Sequence, residues 1–177
     1  TMTKLPRPEY SEYNEYYRQY VALVPDGDIA VTLRDQLEET ITVLEGITPE
    51  RETFRYAEGK WNIREVITHL MDTERVFAFR ALTMAREDGV TLPGMDQNEW
   101  TVRSNGGDRP LADLIEEWVA VRRANVHLFA SFDGETGART GIASDSEITV
   151  RALPWLIAGH ELWHRGLISE HYVEKSM

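Results

Sequence analysis

Apolar residues in this chain return at intervals of three and four, and no long run alternates with a period of two. That pattern builds helices with one buried stripe and offers little for a large sheet to pack. Ile29, Leu33, Leu37, Ile41 and Leu44 are the plainest case, opened by Asp28 as an N-cap and closed by Gly46. An earlier stripe of Tyr10, Tyr13, Tyr17, Val21 and Val24 predicts a helix from Pro8 to Val24, ended by Pro25-Asp26-Gly27. At Trp61-Asn62-Ile63-Arg64-Glu65-Val66, Asn62 and Glu65 can form a capping box and Trp61 can staple to Val66, so a third helix is predicted to about Arg86. A fourth follows Pro110, with Leu111, Leu114, Trp118, Asn125 and Phe132 near one face. A fifth is predicted from about Thr149 to Val173, with Pro154 costing it a backbone hydrogen bond near its start. Residues 87–109, with Asp88-Gly89, Pro93-Gly94 and Asn105-Gly106-Gly107, read as one long loop of the kind that often carries function. The expectation is an all-α protein, a four-helix bundle with an additional N-terminal helix, with residues 1–177 as a single domain.

The 177 residues are 42% hydrophobic and 28% charged, enough apolar material to bury a core against backbone entropy. A net charge of −11 repels phosphate backbones and anionic lipid, so neither nucleic acid nor a membrane surface is an expected partner. Cysteine is absent, which removes disulfides, thiolate ligands and a cysteine nucleophile. No run approaches the roughly 18 apolar residues of a membrane span, and Thr1 to Pro8 lacks a secretory apolar stretch, so the expected location is cytoplasmic.

Chemistry concentrates at His160-Glu161-Leu162-Trp163-His164. Histidines four apart on a helix differ by about 40° around the axis and one turn in height, so both imidazoles can reach one metal ion. The same letters spell the zincin protease motif, whose glutamate is a general base. That reading fails downstream, where Leu167 and Glu170 stand in place of the glycine and histidine a metzincin needs. His171 shares the stripe of His160 but lies about 10 Å along the axis from His164, too far to bind the same ion. Of the other two histidines, His127 is opposite Trp118 and faces out, whereas His69 borders the buried stripe of the third helix and can supply the third ligand.

Tyr56-Ala-Glu-Gly-Lys-Trp-Asn-Ile-Arg-Glu-Val-Ile-Thr-His69, Glu74-Arg75, Leu92-Pro93-Gly94-Met95-Asp96-Gln97, and Ala158-Gly159-His160-Glu161-Leu162-Trp163-His164 with Glu170 to Tyr172 resemble, in that order, the DinB/YfiT-like superfamily. The resemblance spans roughly residues 28 to 173. It implies a four-helix bundle with an added N-terminal helix and a divalent transition metal, often nickel or zinc, held by three histidines. By motif position these are His69, His160 and His164. Trp163 stands where relatives often carry histidine, and His171 where they commonly carry a basic residue such as arginine.

Three neutral imidazoles leave coordination positions open, where a water or thiol becomes more acidic. The resemblance implies either a metal-dependent hydrolase or a transferase using a low-molecular-weight thiol, acting on a small-molecule substrate. The alternative is a metal-binding or structural bundle that works through association, for which the tyrosine stripe offers a homodimer face, although core is the preferred reading of that stripe. Glu161 is the candidate catalytic residue, able to hold or deprotonate a water, and its bland reading is a solvated helix glutamate. Asp96 and Trp100 are placed to close over the site, and Asp72 and Glu65 to orient His69.

Overall fold

A computed structural model describes residues 4–174 of the chain. Two 3-10 turns, Tyr10–Glu12 and Glu15–Tyr17, lead into α1 (Arg18–Val21) and then α2 (Ile29–Leu44). After them come α3 (Ile63–Arg86), β1 (Thr91–Leu92), α4 (Gln97–Arg103), α5 (Leu111–Ser131) and α6 (Gly134–Gly137). The last elements are β2 (Thr140–Ala143), β3 (Ser146–Thr149) and α7 (Ala152–His171).

Four long helices make the bundle. α2 and α3 each pack against both α5 and α7, so they sit on opposite corners. The expected caps are present at two starts. Asp28 accepts from Ala30 and Val31, and Asn62 and Glu65 exchange the two bonds of a capping box.

Several sequence expectations need correction. The predicted Pro8–Val24 helix is broken, because Tyr13 is extended and the Asn14 side chain accepts from the Tyr16 N–H, which starts a new turn. Tyr13 and Tyr20 are buried and Tyr17 half-buried, while Tyr10 and Tyr16 are exposed. Residues 87–109 are not one loop: Asp96 accepts from Asn98 and Glu99 and so caps α4. A small sheet also exists, with β1 parallel to β2 and β2 antiparallel to β3, Ile142 opposite Glu147. The hairpin between β2 and β3 turns through Ser144 and Asp145 at φ of 51° and 59°. That geometry follows the twist of the paired strands but usually calls for Asn or Gly, which hid it from a turn-residue reading. Finally, α7 begins at Ala152, so Pro154 sits in the first turn, where an N–H has no intrahelical partner to lose.

The core lies in two apolar blocks. One contains Ile29 and Leu33 of α2, Phe77 to Ala85 of α3, Phe129 of α5 and Ala152 to Ala158 of α7. The other contains Leu37 and Leu44, Ile63 to Met71, Leu111 to Trp118, and Ile168. Between them the helices contribute buried polar residues: Gln36 and Thr40, Thr73 and Glu74, Arg122 and Asn125, His160 and Glu161. The bundle is thus crossed by one polar layer. Among the described residues no helix is long and apolar enough to cross a membrane.

Candidate metal centre

His69 lies about two turns into α3, and His160 and His164 lie one turn apart in the middle of α7. Antiparallel packing of the two helices brings the three rings together in the polar layer. Nε2 of His160 stands 3.0 Å from Nε2 of His69 and 3.1 Å from Nε2 of His164. Bonds of about 2.0–2.1 Å from one ion hold ligand nitrogens about 2.9–3.4 Å apart, so the set fits a single divalent metal.

Burial holds these imidazoles in the neutral form a metal requires. Desolvation pulls His69 down to about 4 and His164 to about 3, the latter helped by the nearby His69. It also holds His160 well below the usual histidine range, with His164 and His69 adding to the effect. Aromatic rings fix their tilt: Trp61 lies 4.9 Å from the His69 ring, and Tyr20 meets His160 edge-on at 5.6 Å.

Two cavities flank the cluster. One, of about 210 Å³, is reached from His69 and His160 and is walled by Tyr17, Phe77 and Arg80. The other, of about 240 Å³, is reached from His164 and is walled by Tyr56, Trp61 and Tyr172. The segment after β1 covers both, through Met95 and Gln97 on the first and Asn98 on the second. Asp96 instead caps α4, and Trp100 lines clefts that contain none of the three histidines.

Glu161 is neither solvated nor turned toward the cluster. It is 1% exposed, and its Oε2 accepts from Arg122 at 2.7 Å and Gln36 at 2.8 Å while its Oε1 accepts from Thr40 at 2.6 Å. Arg122 also binds Glu74 through Nε and Nη2, at 2.8 and 2.9 Å, and donates to the Leu33 carbonyl. Trp118 and Asn125 complete Glu74. Two carboxylates therefore share one guanidinium, and this buried negative excess beside His160 favours a cation at the histidines. Its members on the other helices went unread in the sequence. Arg122 follows Trp118 by four, so a charge on an apolar stripe was the available signal.

The remaining candidates have other partners. Glu65 keeps its cap and pairs with Arg55, and Asp72 lines a separate cleft beside Arg75. His127 is exposed, and His171 stacks on Tyr56 at 4.1 Å.

Known proteins share this sequence pattern and this fold. The family model described as DinB superfamily matches residues 32–168. The chain belongs to the DinB superfamily. Among solved structures, this DinB protein is similar to YfiT from Bacillus subtilis, described as a probable metal-dependent hydrolase with an unusual four-helix bundle topology. The TM-score is 0.71 at 17% identity, over 92% of this chain and 89% of that one. It is also 28% identical over 72 residues to a protein of Oceanobacillus iheyensis whose name places it provisionally among metal-dependent hydrolases. That match spans 41% of this chain and 40% of the relative.

Proposed function

We propose that this DinB protein is a metal-dependent enzyme whose His69, His160 and His164 hold one divalent transition ion, nickel or zinc, and which delivers water or a small thiol to a small electrophilic substrate. The observation that carries this reading is the three-nitrogen cluster standing between two cavities, with the open side of the site accessible from each. When bound, the ion supplies a Lewis acid that makes a water or thiol in an open position more acidic. The chain has no cysteine, so a thiol nucleophile comes from a separate small molecule. The chain's own part is positioning. Trp61 and Tyr20 hold the imidazole rings and exclude bulk water, and the segment from Met95 to Asn98 bounds the entrances. Glu161, engaged with Arg122, fixes α7 rather than taking a proton at the site. The net charge of −11 supports work on small molecules rather than on nucleic acid or anionic membranes.

The test is elemental analysis of the purified protein with His164→Ala alongside His127→Ala. About one divalent ion per chain is expected in the parent and in His127→Ala, and none in His164→Ala. Equal metal in all three sinks the assignment. Cobalt substitution then separates the two nucleophiles. A new charge-transfer band with millimolar cellular thiols marks the transferase, and an unchanged spectrum with turnover of simple esters marks the hydrolase. Neither result would leave the non-catalytic bundle.

A further inference from the structure

The 210 Å³ cavity has a polar group that the metal reading does not use. One stripe of α3 forms its floor: His69, Thr73, Phe77 and Arg80, spaced by four, four and three. Helical spacing puts Arg80 three turns from His69 on the same face, and side chains lean toward the helix N-terminus, so the guanidinium reaches back toward the cluster.

Arg80 is 4% exposed, yet among the described residues no carboxylate pairs with it. Nη2 donates to the Pro93 carbonyl at 3.0 Å and to Ser144 Oγ at 3.1 Å, which ties the β2–β3 turn to the segment after β1. The Tyr17 phenol is a third hydrogen-bonding neighbour of the guanidinium, and no other acceptor reaches its Nε or Nη1 among the described residues. Asp72, in the adjoining cleft, feels Arg75 and Glu117 instead. A buried guanidinium stays charged, and keeping it without an anion is costly. Thr73, between Arg80 and His69, adds an unpartnered group: its hydroxyl is buried with no hydrogen bond among the described residues. Tyr17 and Phe77 meet edge-on at 6.1 Å across the same cavity, and the Arg80 guanidinium lies 5.5 Å from the Phe77 ring.

We infer that this cavity is the substrate subsite and that Arg80 receives the carboxylate of a small acid, whose flat apolar body lies against Tyr17 and Phe77 and whose reactive end points to the histidines. With Nη2 taken up by Pro93 and Ser144, the guanidinium can still donate a single charge-assisted hydrogen bond to a carboxylate oxygen through Nη1, and Thr73 supplies a hydrogen bond along the way. This names the substrate class of the site proposed above and rests on that reading for its chemistry, though not for its binding.

Benzoate and its uncharged isostere benzamide test it, titrated into chelator-treated and nickel-loaded protein while the Arg80 Nε resonance and the affinity are followed. Benzoate should bind at least about tenfold tighter than benzamide in both forms and shift the Arg80 signal, and Arg80→Gln should erase the preference. Equal binding of acid and amide overturns the inference, as does an unmoved Arg80 signal in the parent protein, which needs no variant to fold. Benzoate binding that requires nickel and survives Arg80→Gln places the carboxylate on the metal and also overturns it, while leaving the metal centre intact. Preference for benzoate in a protein that takes up no metal supports the subsite and defeats the metalloenzyme instead.

Discussion

Glu161 turns its carboxylate to the Arg122 guanidinium, 2.7 Å from Nη2, while its neighbour His160 points the other way to meet His69. A motif that a protease would use for metal and base is divided here between a histidine cluster and a charge network.

Replacing Arg122 by methionine should leave Glu74 and Glu161 buried and facing each other without a cation. Loss of one partner from such a pair costs about 3–5 kcal/mol. Urea unfolding should show that loss as a lower midpoint, and a variant as stable as the parent would mean that the layer is not ionised as drawn.

Glu161→Gln should still take up metal, since the carboxylate bonds to none of the three histidines, but more weakly, because the negative excess beside His160 is gone. It should lose about 1.5–3 kcal/mol of stability, because a charged acceptor of three bonds becomes a neutral one. Metal analysis and denaturation on the same sample check both halves. Full stability with abolished turnover would restore Glu161 as the base.

Acid should weaken the metal-free protein in a defined window. Unfolded histidine titrates near about 6.5, whereas His69 and His164 are held down at about 4 and about 3 in the folded chain. Below about pH 6.5 the unfolded state therefore gains protons that the folded state refuses, so stability is full above that pH and falls as the solution is acidified toward pH 4. Each such histidine contributes up to about 1.4 kcal/mol per pH unit. Thermal unfolding between pH 7 and 4.5 should show the slope, and His69→Leu should flatten it. A flat parent profile would mean that the rings are solvated.

Gly159→Ala should displace the N-terminal segment. A Cβ there would lie 2.3 Å from the Tyr20 carbonyl oxygen, which is backbone and cannot swing aside. Overpacking of this kind costs about 1–3 kcal/mol, and the Tyr20 ring should leave His160, read as a changed histidine resonance. Unaltered stability and spectra would show that α1 docks less closely than described.

Much of this was legible in the sequence because helices advertise themselves by period. The stripes of α2, α3 and α5, the caps at Asp28 and Asn62, and the i, i+4 pair in α7 are local, and each carries its own spacing signal. The β2–β3 hairpin was not legible, since its strands have four residues each and its turn uses Ser144 and Asp145 rather than glycine. Nor was the Glu74, Arg122 and Glu161 network. Its members lie on three helices, and only the assembled bundle tells a buried charge on an apolar stripe from a solvated one.

Residues 160 and 161 project from α7 about 100° apart, one into the histidine cluster and one into the arginine network. A rod gripped by two neighbouring teeth in different directions can neither roll nor slide without breaking both holds. α7 is therefore keyed in rotation and in register, which fixes the spacing of the three histidine nitrogens without help from an ion.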